Sequence, residues 1–391
     1  MLLSIALILL CGSLLGTISK KLRLPALLGM LITGILLGPY VFNLLDEKIL
    51  LISADLRKIA LIIILTRAGL GLDLNGLKKM GRPAFLMCFV PATLEIIAVT
   101  ILAPLFFGIN YLEAALLGSV LAAVSPAVVV PRMVKLTEEG YGTKQGIPQM
   151  ILAGASVDDV YVIVLFTTFL SLLQGGEVSI LSFINIPVSI ILGILIGILS
   201  GEAMGILFKK YHLRDTAKVL FILSYSFILV SIEEMLATPI NFSALIAVMF
   251  IGVGLQMTRN IVAKRLSLKY GKLWVGAEVF LFVLVGASVN ISYLKGLGLI
   301  ALVLILLALI FRMFGVSLCL LKTDLNKKER LFTMMAYTPK ATVQAAIGGV
   351  PLALGLNCGD IILSIAVLAI VFSAPLGAFM IDSSYKKLLQ K

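Results

Sequence analysis

The chain has 391 residues, of which 60% are hydrophobic and only 13% charged, with a net charge of +12 and a mean hydropathy of +1.13. A soluble domain is ~45–50% apolar and ~25% charged, so the composition excludes an ordinary soluble protein and implies a polytopic membrane protein. The positive charge alone would suit nucleic acid, but its distribution along the chain excludes that partner and assigns the surplus to membrane topology.

Apolar runs of ~17–25 residues are long enough to cross a bilayer as helices. Thirteen are expected, at 2–19, 24–40, 58–77, 83–107, 112–131, 147–173, 183–208, 216–236, 239–257, 273–292, 296–321, 331–355 and 361–383. The first is read as a spanning helix, since it has no basic leader and no cleavage site. Of the Lys and Arg residues, 25 fall in seven segments on one side: 20–23, 78–82, 132–144, 209–218, 259–272, 322–330 and 386–391. The other side holds Lys48, Arg57, Lys58 and Lys295. By the excess of basic residues in cytoplasmic loops, the N-terminus is expected outside and the C-terminus in the cytoplasm. The short loops suit a prokaryotic inner membrane. His212, in a basic loop, is assigned no role. Cys11, Cys88, Cys319 and Cys358 are scattered singly and read as small apolar packing residues.

The chain also repeats itself. Gly71 to Lys78 (GLDLNGLK) aligns with Ser288 to Lys295 (SVNISYLK), placing Asp73 on Asn290; the same offset carries Glu95 onto Arg312. Further on, Ser125-Pro126 corresponds to Thr338-Pro339. Lys78 and Lys295 are expected on opposite sides, so the two copies form an inverted-topology repeat of the kind found in secondary transporters. The fifth and twelfth helices are interrupted at matching places, in "AAVSPAVVVP" (Ala122 to Pro131) and "AYTPKATVQAAIGGVP" (Ala336 to Pro351). Proline removes a backbone donor and disfavours helix before it. Such breaks are tolerated in a bilayer only where they line a cavity or are buried in protein, and a matched pair of them points to a midplane site.

Six ionisable residues lie within the apolar runs: Arg67, Glu95, Asp158, Asp159, Arg312 and Lys340. A charge at a helix centre costs at least ~2.5–3.5 kcal/mol, so each is a candidate functional residue. Asp158 and Asp159 are adjacent and point about 100° apart on a helix, so they cannot share one proton face to face. A buried carboxylate can carry either a proton or a small hard cation. Asp159, Ser125 and the broken backbone are expected to form the site for both. Glu95 and Arg312 are expected to form an ion pair between the repeats, and Lys340, directly after Pro339, is expected to pair with Asp158. Arg67 is expected to be structural or gating.

"RAGLGLD" (Arg67 to Asp73), Glu95 in "PATLE", "AAVSPAVVVP", "ASVDDV" and "PKATVQAAIG" together resemble the sodium/proton antiporters of the cation:proton antiporter superfamily, in particular its NHA branch. The resemblance covers nearly the whole chain. It implies an all-α polytopic fold of about thirteen transmembrane helices in two inverted repeats, with two crossed broken helices (an NhaA-like antiporter fold). It implies a division into 1–77 and 215–292 for dimerisation, 78–173 and 293–391 for the transport core, and 174–214 as a linker helix.

The activity it implies is Na⁺ (or Li⁺) exchange for H⁺ by elevator-like alternating access within a homodimer, without cofactor or enzymatic chemistry. Asp159 resembles the ion-binding carboxylate, Asp158 an accessory acid held by Lys340, and Glu95–Arg312 the branch's core pair. Arginine at 312 resembles the electroneutral members. A K⁺/H⁺ antiporter is one alternative, and a sodium-coupled organic-anion symporter another, although "SVDDV" argues against a roomy anion cavity. An intramembrane aspartyl protease needs facing acids from separate helices, which adjacent aspartates do not provide.

Overall fold

A computed structural model describes residues 1–22, 24–72, 74–174, 180–211, 213–236 and 242–391, and within its helices the side chains other than those at 74–80, 156, 160, 180–187, 234, 291–295 and 297. Asp73 and His212, and the side chains of Lys78 and Lys295, lie outside the described residues. All regular structure among the described residues is helical. The elements are α1 (Leu2–Lys21), α2 (Ala26–Leu37), α3 (Glu47–Leu51), α4 (Ser53–Gly71), α5 (Leu74–Met87), α6 (Val90–Phe107), α7 (Tyr111–Leu121), α8 (Pro126–Glu139) and α9 (Ile147–Leu173). They continue with α10 (Ile180–Lys210), α11 (Asp215–Met235), α12 (Ala244–Ala287), α13 (Ile291–Cys319), α14 (Lys327–Ala336), α15 (Thr342–Ile347), α16 (Val350–Ala353) and α17 (Gly359–Leu388).

Among the described residues, nine helices are long and apolar enough to cross a membrane, and one of them, α12, is 44 residues long. The expected runs overlap these elements, and the short helix α3 lies outside all of them. The fourth run is divided between α5 and α6, where Pro91 enters at the start of α6. The fifth and twelfth are broken, as their prolines implied. The ninth and tenth are joined through 259–272, expected as a loop but helical, with non-helical backbone only at Arg259 (φ −144, ψ 62). Lys, Arg, Leu and Ala are good helix formers whatever their hydropathy, so the charged stretch is helical from residue 260 on, and α12 is two helices that meet at a kink at Arg259. Gly81 (φ 64) makes a sharp turn inside α5 that a side chain would strain.

The chain forms two compact units: Met1–Ala54, Asp73–Leu170 and Val279–Lys391 in one, Asp55–Leu72 and Ser171–Glu278 in the other. In the first, α6 packs against both α7 and α13. The approach to α13 is close: a Cβ on Gly315 would stand 2.7 Å from Pro91 Cα. That contact fixes the neighbourhood one turn away on each helix, where Glu95 follows Pro91 and Arg312 precedes Gly315.

The half-helices α7 and α14 begin alike. Asn110 accepts from the backbone N–H of Leu112 and Glu113, while Glu113 accepts from Asn110 N–H. Asn326, 216 residues on, does the same with Lys328 and Glu329. Each reciprocal cap satisfies orphan donors at a helix start, and each opens a short helix, of 11 and 10 residues, that ends at a break. In the second unit, Gln256 donates to Gly69 O at 3.0 Å and Tyr270 to Val219 O at 3.3 Å, while Arg265 pairs with Asp215 at 3.1 Å.

Candidate functional site

The site is built on the two breaks. α7 ends at Leu121 and α8 begins at Pro126, so the carbonyls of Leu121, Ala122 and Ala123 lack the partners a continuing helix would give them. Side chains from the other half of the chain supply them. Lys340 Nζ donates to Leu121 O at 2.6 Å, and Arg312 Nη1 donates to Ala122 O. Gln344 Nε2 donates to Leu121 O at 3.1 Å and to Ala123 O at 2.8 Å. On the other side of the break, Val124 N–H donates to Asp158 Oδ2 at 2.9 Å. Two cations thus face the negative end of α7, and an anion faces the start of α8, as helix dipoles favour. The two breaks touch directly: Ser125 N–H donates to Pro339 O at 2.7 Å. Lys340 N–H donates to Ser373 Oγ at 3.1 Å.

Four charged side chains meet at this crossing. Arg312, wholly buried, is the centre: Nη1 donates to Glu95 Oε2 at 3.0 Å, Nη2 to Asp158 Oδ2 at 2.7 Å, and Nε to Tyr337 O at 2.7 Å. Its guanidinium carbon lies 5.0 Å from the Tyr337 ring centroid, within cation–π range. Lys340 Nζ lies 2.7 Å from Glu95 Oε1 and 2.9 Å from its Oε2. The expected Glu95–Arg312 pair is therefore present, but the expected Asp158–Lys340 pair is not. Asp158 is held by Arg312, and Lys340 by Glu95. The reason is the shape of the cation. A planar guanidinium presents donors on three nitrogens and can bridge two carboxylates, whereas the ammonium of Lys340 is committed to Glu95 and the end of α7.

Asp159 is different. It is buried, with 9% exposure, and makes no hydrogen bond or ion pair among the described residues. Ser125 Oγ and the second oxygen of Asp158 are likewise buried without a hydrogen-bond partner. No hydrogen bond joins Asp159 to Ser125. Thr338, just past the end of α14, donates its hydroxyl to Met335 O at 2.8 Å, and Pro126 serves as the first residue of α8. Arg67, in the other compact unit, lies beside Gly271. Sequence reasoning missed Tyr337, Gln344 and Ser373. Gln344 had a signal: it stands four residues after Lys340 in "PKATVQAAIG". Tyr337, whose hydroxyl donates to Met87 O at 3.0 Å, had none beyond its place before Thr338-Pro339.

The sequence profile of the family described as "Sodium/hydrogen exchanger, transmembrane" matches residues 5–383. The chain belongs to the sodium/hydrogen exchanger family. Human sodium/hydrogen exchanger 9B2 is 32% identical to it over 403 residues, covering 97% of this chain and 73% of that protein. Human sodium/hydrogen exchanger 9B1 is 31% identical over 391 residues, covering 94% and 73%. Among solved structures, the sodium proton antiporter MjNhaP1 from Methanocaldococcus jannaschii superposes with a TM-score of 0.86 over 99% of this chain and 98% of its own, at 21% identity. That last likeness speaks for the fold, and it is the antiporter fold that the resemblance of the motifs implied. This exchanger is therefore an integral, multi-pass sodium/proton antiporter. It is a transporter, not an enzyme, and its ions are cargo with no cofactor needed to move them. Membership favours sodium–proton exchange over the potassium antiporter and the organic-anion symporter.

Proposed function

We propose that Asp159 is the carboxylate that alternately carries Na⁺ (or Li⁺) and H⁺, within an elevator-like cycle. One observation carries this reading: the other four buried charges at the crossing satisfy one another, and Asp159 alone has no partner. A partnerless carboxylate gains most from a cargo ion, because a bare buried charge is the costliest state available to it. Ser125 and the second oxygen of Asp158 are the buried acceptors that would complete an oxygen shell for a hard cation.

Glu95, Arg312 and Lys340 act as the fixed frame. They hold the broken ends of α7 and α8 against Pro339 and release no proton, which makes the exchange electroneutral, one H⁺ per cation. The matched Asn-capped starts of α7 and α14 support the inverted repeat. The division of labour follows it, with 78–173 and 293–391 as the moving core, 1–77 and 215–292 as the dimerisation part of a homodimer, and 174–214 as the linker. The distribution of basic segments supports an outside N-terminus and a cytoplasmic C-terminus, and the short loops support a cell membrane of prokaryotic type.

The test is transport by purified protein in liposomes holding an internal pH dye. Na⁺ or Li⁺ added outside should drive proton efflux at the same rate whether the membrane potential is clamped or free. Asp159→Asn should abolish that efflux while the protein still folds. Full exchange by Asp159→Asn would remove Asp159 from the mechanism. A rate that rises on clamping would show that net charge moves and would overturn electroneutrality.

A further inference from the structure

Asp158 and Asp159 are chemically identical neighbours, so the rotation of α9 decides which of them meets Arg312. At about 100° per residue, a turn of one position would hand Arg312 to Asp159 and leave Asp158 for the cargo. One ion pair does not fix the rotation of a helix of 27 residues. Contacts spread along one of its faces do.

Two further contacts lie on the Asp158 face. Gly154 stands four residues before Asp158 and Tyr161 three after it, so the three share one face over about 10.5 Å of helix. Asp159 points about 100° away from the nearest of them. Gly154 is buried against Tyr337: a Cβ there would stand 2.6 Å from the Tyr337 hydroxyl oxygen and 3.0 Å from Met87 Cβ. The Tyr337 ring has little room to retreat. It is wholly buried, its hydroxyl donates to Met87 O at 3.0 Å, and its carbonyl and ring both engage Arg312. Seven residues on, Tyr161 meets α6. Thr93 donates its hydroxyl to Phe89 O at 2.8 Å, which leaves the Tyr161 hydroxyl to donate to Thr93 Oγ1 at 2.8 Å. The Tyr161 ring also lies 6.3 Å from that of Phe89. The first contact sets how closely α9 approaches Tyr337, the second ties α9 to α6, and Asp158 lies between them.

We propose that Gly154 and Tyr161 are positioning residues that set the rotation of α9, so that Asp158 is delivered to Arg312 and Asp159 is left for the cargo. That role rests on Asp159 being the cargo carboxylate, and it requires no contact of either residue with the ion.

The experiment measures KM and maximal rate for Na⁺-driven proton efflux from liposomes, together with the melting temperature of each variant. Tyr161→Phe and Thr93→Val each delete the α6–α9 bond without adding bulk. Each should raise KM about fivefold, the worth of one neutral hydrogen bond, and lower the maximal rate less. The double variant should do no worse than either alone, since one bond is lost in all three. Gly154→Ala should raise KM about tenfold or more by crowding Tyr337, and Gly154→Ala/Tyr337→Phe, which removes the obstructing hydroxyl, should recover part of that loss. A role in stability alone would lower the melting temperature and leave KM where it was. Wild-type KM in Tyr161→Phe would overturn the proposal, as would a Gly154→Ala defect that Tyr337→Phe does not relieve. If Gly154→Ala fails to fold, Tyr161→Phe and Thr93→Val decide. Asp159→Asn in the same assay separates the two readings. Full exchange there removes the cargo role of Asp159 and this role with it; lost exchange there, with wild-type KM in Tyr161→Phe, refutes the positioning alone.

Discussion

Arg312→Lys keeps the charge at the crossing and removes only its shape. The guanidinium spreads its contacts over three nitrogens: Nε to Tyr337 O, Nη1 to Glu95 and Ala122 O, and Nη2 to Asp158. An ammonium has one nitrogen and cannot sit at all of these places. It can keep one carboxylate and one nearby carbonyl, so one charged pair and one carbonyl bond are lost. Hydrogen bonds involving a charged group contribute about 1.5–3 kcal/mol each, so the substitution should destabilise the protein by about 3–6 kcal/mol. Unfolding by sodium dodecyl sulfate in mixed micelles measures this. Arg330→Lys is the matched control: Arg330 donates to Leu325 O and Thr323 O at 2.9 Å from a half-buried site, where water can replace what is lost. It should cost about 1 kcal/mol or less. If Arg312→Lys also falls within about 1 kcal/mol of wild type, the four contacts do not act together and the account of the crossing fails.

Other consequences of the geometry can be checked in the same way. Glu95→Gln leaves two buried cations facing one acid of the network and should cost about 3–5 kcal/mol. Lys340→Met leaves Glu95 still paired with Arg312 and should cost clearly less; the reverse order in the unfolding titration would refute the pairing described. Gly315→Ala should cost about 1–3 kcal/mol by crowding Pro91. Gly276→Ala, with nothing within 4 Å of the added carbon, should be tolerated, and equal melting temperatures for the two would count against the close α6–α13 contact. Gln344→Leu should raise the KM for Na⁺ more than it lowers the maximal rate, since it frees the Ala123 carbonyl beside the crossing. Gln344→Glu should be impaired most at high pH and recover as pH falls, because only a protonated carboxyl can donate to that carbonyl; a pH profile parallel to wild type would exclude the role.

Much of this arrangement was legible in the sequence because a bilayer enforces it. Helices must be long and apolar to cross, prolines interrupt them, and charges within them are too costly to be accidental. Those rules located α7 and α8, the break at Thr338-Pro339, and the residues Glu95, Asp158, Asp159, Arg312 and Lys340. They did not decide who pairs with whom. Asp158 could be neutralised by either cation, and the choice of Arg312 depends on a guanidinium reaching two carboxylates from α13, a distance no spacing encodes. Tyr337 and Gln344 escaped notice for a related reason. They are neutral, so they raise no alarm in an apolar run, yet both bond backbone groups exposed by a helix end. The helix at 259–272 was missed because charge marks the edge of the membrane, not the end of a helix.

The balance of the four-residue network also bears on leakage. Glu95 and Asp158 carry two formal negative charges and Arg312 and Lys340 two positive, so this frame is neutral as a whole. Under the proposed cycle, the net charge of the core then depends on Asp159 alone. Loaded with Na⁺ or with H⁺ the core is neutral; empty, it bears one uncompensated charge. Carrying that charge through the membrane field changes its energy by about 2.3 kcal/mol per 100 mV, uphill in one direction and downhill in the other, and in both directions there is the cost of keeping it out of water. The empty carrier is thereby held back while both loaded forms pass, so one ion can return only when the other has gone.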